Sequence, residues 1–391
     1  MVVADKAGGQ GMDRVSLVRC EGYDPAAVKE SVGRAFEFLG GAGEIAGPGE
    51  SVFIKVNAVI AAEPSSGIVT NPAVVKAVVQ EFQKVTDRVV IGDSPGGPFN
   101  HTLLKRVYEK TGLAQVSRDT GADLAFDTST IEVPFPGGRS IKRLTLCRPM
   151  IEADRLVSVS KFKTHRYLNV TGPVKNLYGA VPGTTKFVYH SRFDDEREFA
   201  NLIVDVHLAC RPAFHVLDAV ETIEGDGSRK GTLRKMSAIA AGGNAFALEG
   251  LVMELAGLEP SDNRVLEAAI DRGICPAGTA WFVVDGEDPA SLRLDDFLLP
   301  SVNLFSERVP AIISERLSRF TSVSPKPVEG ECTLCGKCAE ICPRSAITMG
   351  REVAEVDLKK CIRCFCCDEL CEHKAIGIRR PLLVRLRRGG G

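Results

Sequence analysis

Nine of the thirteen cysteines fall between residues 332 and 371. They read Cys332-x2-Cys335-x2-Cys338-x3-Cys342-Pro343, then Cys361-x2-Cys364-x2-Cys367-x3-Cys371, with Cys366 as an extra. Three thiolates on a tight loop grip one face of an iron–sulfur cubane, and a fourth after a short helical turn reaches across to a second cubane. The spacing therefore predicts two [4Fe–4S] clusters. Cys332, Cys335, Cys338 and Cys371 are assigned to one, and Cys361, Cys364, Cys367 and Cys342 to the other. Zinc would use four ligands in two CxxC pairs and leave the third cysteine of each run idle. Ala346-Ile347 and Ala375-Ile376, which follow each fourth cysteine, suit an apolar cover. Where the first run has Pro343 the second has Glu372, a charge in place of a rigid turn residue. Cys366 reads as a bystander. Cys20, Cys147, Cys210 and Cys275 read as small buried hydrophobes.

A second concentration of chemistry is the stretch VSKFKTHRYLNVTGPVKNLYGAVPGTTKFVYHSRF (159–193), which contains no Asp or Glu. Lys161, Lys163, His165, Arg166, Lys175, Lys186, His190 and Arg192 gather there without a counter-ion in sequence. Arg166 and Arg192 read as solvated or paired with carboxylates elsewhere in the fold. Lys161, Lys163 and His165 alternate, which sends them to one face of an extended chain. Burying like charges is costly unless an anion neutralises them. Glycines 172, 179 and 183 would let backbone N–H groups approach such an anion. The stretch predicts a site for a phosphate or carboxylate group, with His165 or His190 supplying a proton.

Positioning these residues falls to alternating strands and helices. Strands are expected at 14–20, 51–57, 88–93, near 122–126, 143–147 and 155–160, and at 214–220 and 235–242. Helices are expected after Asp24-Pro25 and Asn71-Pro72, a polar cap followed by proline at the first helical position. Others are expected near 102–111, 197–209 and 244–256. Such alternation predicts an α/β fold, a large, mostly parallel sheet with helices on its faces, and a small α+β iron–sulfur domain after it. Ligands of such sheets bind at the carboxyl ends of strands. Lys55, Asn57, Asp93, Lys161, Lys163 and Asp218 all fall at strand ends. The expected division is residues 1–323, 324–380 and a basic tail, 381–391, with SPKP (324–327) as linker. Apolar segments between 300 and 313 are expected to join the two domains.

The chain has 391 residues, with 49 Lys and Arg against 50 Asp and Glu. Near-zero net charge argues against bulk binding to nucleic acid. No apolar run is long enough for a membrane span and no signal peptide is read at the N-terminus. Cysteines in metal-ligand spacing fit a reducing, cytoplasmic setting. GAVPGTTK is not a phosphate loop of the Walker type, and EGDGSRKG lacks the strand-to-helix context of a dinucleotide site.

The motifs IKVN, TNPAVV, GDSPGG, KFKTH, GPVKNLYGAVPGTTK and EGDG, with the terminal cysteine runs, closely resemble the DUF362 proteins, a family of unknown function carrying here a bacterial-type ferredoxin domain. The resemblance spans about residues 14–378. It implies an iron–sulfur protein. Residues matching its motifs are Lys55, Asn57, Asp93, Lys161, Lys163, His165, Lys175, Asn176, Lys186 and His190. Asn244 and Glu249 stand where the family carries aspartates. The expected function is a ferredoxin-dependent oxidoreductase acting on an anionic small molecule, with a redox protein as partner. The alternative is an electron carrier or scaffold whose large domain docks a partner and does no chemistry.

Overall fold

The computed structural model describes residues 12–300 and 323–379. The N-terminal lead, the apolar stretch between 301 and 313 and the basic tail lie outside the described residues. The strands, in chain order, begin with β1 (Asp13–Arg19), β2 (Val52–Val56), β3 (Val89–Gly92) and β4 (Asp123–Leu124). There follow β5 (Thr130–Pro134), β6 (Arg143–Cys147), β7 (Arg155–Lys161), β8 (Lys163–His165) and β9 (Asn169–Thr171). The large domain closes with β10 (Phe214–Glu224), β11 (Thr232–Gly242) and β12 (Phe282–Gly286). Eight of these form one sheet in the order β12-β1-β11-β10-β7-β2-β3-β4. β11 runs antiparallel to both neighbours, and the other pairs are parallel.

The sequence forms these layers for readable reasons. Every residue of β2 is buried, as a strand covered on both faces requires. Helix Pro25–Glu37 starts where the Asp24 carboxylate accepts from the amides of Ala26 and Ala27. Helix Pro72–Phe82 starts the same way, with the Asn71 side chain accepting from Ala73 N. Each such cap contributes ~1 kcal/mol. These two helices bury Val28, Val32, Phe36, Val75, Val78 and Phe82 against one sheet face. The opposite face is covered by helices Glu196–Cys210, Ala245–Leu255 and Arg264–Asp271.

Two expectations change. Residues 143–147 are a strand, but β6 pairs with β5 in a separate hairpin rather than joining the main sheet. SPKP is not a linker. It is β13 (Ser324–Pro327), paired antiparallel with β16 (Ile376–Arg379), so it ties the start of the cysteine-rich module to its end. Two further short strands, β14 (Ile347–Met349) and β15 (Ala354–Val356), complete the module. Among the described residues no helix is long and apolar enough to cross a membrane.

Candidate active site

The carboxyl ends of β2, β3 and β7 open on a cavity of about 70 Å³. A water needs only ~10–15 Å³ on this measure, so the space admits several waters or a small anion. Its lining gathers Lys55, Asn57, Asp93, Lys161, Lys163, Lys175, Asn176, Lys186 and His190. All the expected anion-site residues, separated by up to 131 positions, therefore share one space. His165 does not line it; it stands beside the rim, its Nε2 4.0 Å from Glu369.

An ammonium has three protons to give, and the lysines differ in how many are committed. Lys55 donates to Asn176 Oδ1 at 2.7 Å and pairs with Asp93 at 3.2 Å. Lys161 pairs with Asp218 at 3.0 Å and donates to the Tyr23 hydroxyl. Lys163 meets only neutral oxygens, Asn57 Oδ1 at 3.0 Å and the Ile68 carbonyl. Lys186 is saturated by neutral acceptors, the Ser94 carbonyl and hydroxyl and the Val181 carbonyl. Lys175, on the short helix Pro173–Asn176, gives no hydrogen bond or ion pair from its ammonium to the described residues. Three of the five cavity lysines thus lack a carboxylate partner.

Electrostatics follow from this geometry. Burial pushes Lys163 down to about 7, helped by Lys175, Lys161 and Lys55 and opposed by Glu369. Burial takes Lys186 down to about 8, and also lowers Lys55 and Lys175. Burial holds His190 down at about 3 and His165 well below its ordinary value. His165 accepts at Nδ1 from the amides of Tyr167 and Leu168. His190 stacks on Phe199 at 4.1 Å, and its buried Nδ1 has no partner. Burial thus disfavours the protonated form of both imidazoles.

The glycines serve a purpose other than the one expected. A Cβ at Gly179 would lie 2.4 Å from Lys55 Nζ, and one at Gly172 would lie 2.6 Å from a Glu249 carboxylate oxygen. They make room for buried charged side chains. The amide of Gly183 is already spent on Ser94 Oγ at 2.9 Å. Glu249 accepts from Val174 N at 2.9 Å and Asn263 Nδ2 at 2.7 Å, and so pins the helix that carries Lys175. Burial raises its carboxyl to about 7. Asn244 caps helix Ala245–Leu255, a task aspartate does equally well.

The cysteine module sits directly over this cavity. None of the thirteen cysteines is in a disulfide. Cys332, Cys335, Cys338 and Cys371 surround a small space of about 20 Å³. Cys361 lies within electrostatic reach of Cys364 and Cys342, and Cys367 within reach of Cys361 and Cys364. Cys367 is also within reach of Cys338, so the two runs of cysteines lie close together, and thiolate donors fit a cubane. The residues after each fourth cysteine add amide donors: Ala346 N to Cys342 Sγ at 3.2 Å and Ala375 N to Cys371 Sγ at 3.3 Å. No three His, Cys, Asp or Glu among the described residues form a site for a single metal ion.

Cys366, Glu369 and Leu370 form one wall of the lysine cavity. Leu370 packs against Gly96, where a Cβ would come within 2.8 Å, and joins Ile60, Ile68, Phe187 and Ile223 in an apolar seam. Arg166 meets Asp368 at 3.0 Å with both side chains buried. Arg229 donates to the Cys371 carbonyl. Glu372 bridges Arg106 at 2.6 Å and Lys337 at 2.7 Å, which accounts for a charge where the first run has proline. No signal in the chain marked Cys366 or Glu369 as cavity walls, because only docking brings them there.

Residues 52–254 match the family described as a domain of unknown function (DUF362). The chain belongs to the DUF362 family. Residues 325–348 match the 4Fe-4S binding domain, so this DUF362 protein binds a [4Fe–4S] cluster through its C-terminal module. A thylakoid-associated protein of Synechocystis sp. is 30% identical over 295 residues, 74% of this chain and 88% of that protein. A component of an ion-translocating oxidoreductase complex from Methanosarcina acetivorans is 42% identical over 48 residues, 12% of this chain and 18% of that component. Among solved structures, the lactate racemase apoprotein from Thermoanaerobacterium thermosaccharolyticum overlaps with a TM-score of 0.40 at 19% identity. That overlap covers 63% of this DUF362 chain and 57% of the other.

Proposed function

We propose that this DUF362 protein holds two [4Fe–4S] clusters and reduces an anionic small molecule bearing a phosphate or carboxylate group in the lysine cavity. One observation carries the reading: a cavity with three lysines lacking carboxylate partners has the cysteine-bearing helix Cys366–Glu369 as a wall. Such clusters supply single electrons when bound.

The chain's own residues bind, orient and protonate. Lys175 offers three donors to an anion, and Lys55, Lys161 and Lys163 one each. Lys186, its protons committed, contributes charge alone. Asn57 and Asn176 hold Lys163 and Lys55 in place. Lys163, near 7, holds a proton that it can release at neutral pH, so it replaces the histidines as donor. Leu370 and Phe187 limit access of bulk water. The carrier reading needs the cleft free for a partner protein, and the docked module argues against it.

Protein reconstituted anaerobically is expected to hold about eight irons per chain, four for each cubane. Cys366→Ser should keep them all, and Cys342→Ser should lose about half. Calorimetry with inorganic phosphate on the oxidised protein tests the cavity. If Lys175→Gln binds phosphate as tightly as the parent chain, the anion lies elsewhere. Dithionite-reduced protein should regain its visible absorbance when phosphorylated or carboxylated oxidants are added. Reoxidation that needs a second protein for every one of them would restore the carrier reading.

A further inference from the structure

The wall between the anion site and the second set of cysteines is one short element. Cys366 and Glu369 line the cavity, and Cys364 and Cys367 flank Cys366 in the chain. Successive Cα atoms are ~3.8 Å apart, so an anion in the cavity lies on the order of 10 Å from whatever those thiolates hold. Lys175 lies within electrostatic reach of both Glu369 and Cys366. Tyr178, also on the lining, lies within reach of Cys366 and Cys364. The other set differs. Cys332, Cys335, Cys338 and Cys371 line a separate space, and Cys335 is exposed.

We propose that the anion site and the cluster held by Cys361, Cys364, Cys367 and Cys342 are one coupled unit, in which reduction of that cluster weakens anion binding and a bound anion lowers its reduction potential. The proposal rests on the anion-site reading above. Its physical basis is charge in a dry wall. The cavity carries an excess of lysine over carboxylate, and His190, whose buried Nδ1 has no hydrogen-bond partner among the described residues, is part of its lining. Without an anion, the lysines favour an added electron nearby. An anion cancels that field. Thermodynamic linkage then makes the effect reciprocal. An electron about 10 Å from a monoanion, at an effective dielectric of ~20, is worth roughly tenfold in affinity. Reducing power would therefore rise when substrate arrives, which restrains idle loss of electrons. Each reduction adds one electron, from dithionite in the test, with no bond made or broken.

The test uses the full chain with both clusters at pH 6, below the values of about 7 and about 8 for Lys163 and Lys186. Inorganic phosphate is titrated calorimetrically into oxidised and dithionite-reduced protein, and potentials are followed by EPR with and without phosphate. The expected result is roughly tenfold weaker binding to the reduced protein. That equals a fall of ~59 mV in one cluster at saturating phosphate, by the one-electron conversion. The cluster on Cys332, Cys335, Cys338 and Cys371 should not move. Lys175→Arg should keep the shift, and Lys175→Gln should lose it. Phosphate that binds both redox states equally overturns the coupling but leaves the anion site standing. Phosphate that binds neither state overturns both.

Discussion

At the seam between module and sheet, cations meet acceptors that answer them: Arg166 meets Asp368, Arg106 meets Glu372, Lys230 meets Glu331 and Arg344 meets Asp194. A few side chains away, in the cavity, Lys163, Lys175 and Lys186 make no ion pair with a carboxylate among the described residues, though Glu369 is within electrostatic reach. Both places gather cations, mostly arginines at the seam and only lysines in the cavity. The seam sets each of these cations beside a carboxylate, as a docked surface requires once water is gone. The cavity holds more lysines than carboxylates, and on the proposed reading an anion supplies the balance. Burial lowers Lys163, Lys175 and Lys186.

Breaking the buried seam pair should have the largest effect. Arg166→Ala leaves Asp368 buried without its ion-pair partner, with only the cations Arg229 and Lys230 in electrostatic reach, and should cost about 3–5 kcal/mol in denaturant unfolding of the anaerobic holoprotein. The double variant Arg166→Met, Asp368→Leu should recover most of it. A loss under ~1 kcal/mol for the single variant would mean that this pair does not seat the module.

The cavity lysines should then separate by function. Lys175→Gln should weaken phosphate binding by ~10–100-fold with little change in unfolding, the range for hydrogen bonds to a charged group. Lys186→Met should do the reverse. It strips the Ser94 and Val181 carbonyls of their donor and should cost ~1–3 kcal/mol of stability. Equal effects of both variants on binding would erase the distinction between committed and free ammonium groups.

Protonation sharpens the same contrast. Lys163 and Lys186 lie at about 7 and about 8 without an anion, and an anion favours their charged forms. Glu369, Lys175, Lys161 and Lys55 face Lys163; Asp93, Cys147, Lys55 and Glu369 face Lys186. Phosphate affinity should therefore be greatest below pH 7 and fall as pH rises through 7 to 8, by up to ~tenfold per unit for each group. Calorimetry at pH 7.5 in buffers of different ionisation enthalpy should show proton uptake. Uptake of none would mean that the lysines are already charged.

The smallest change is expected at the exposed edge of the seam. Arg106 and Glu372 are partly solvated, and Arg106→Ala should alter stability by only ~0–1 kcal/mol, less in high salt.

Much of this was legible in the chain. Asp24-Pro25 and Asn71-Pro72 start helices as local capping chemistry predicts. Lys55, Asn57 and Asp93 follow from where strands stop. The alternation of Lys161, Lys163 and His165 was only partly informative, since the chain leaves the main sheet after Lys161 and resumes in the β8–β9 hairpin. That turn places His165 beside the rim instead of in the lining. SPKP misled because prolines suggest a linker, yet an edge strand tolerates them.

The cysteine spacing alone determined the metal chemistry, since loop reach over two or three residues is fixed by covalent geometry. The sequence also determined that lysines would crowd residues 159–193 without acids beside them. Tertiary structure decided which lysines found partners: Lys55 drew Asp93 from the next strand, Lys161 drew Asp218 from β10, and Lys175 drew none among the described residues. It also decided that Cys366 and Glu369 close the cavity, and that Arg166 is a docking residue. Those outcomes depend on contacts between residues far apart in sequence, where burial and unpaired charge set the energy and spacing carries no information.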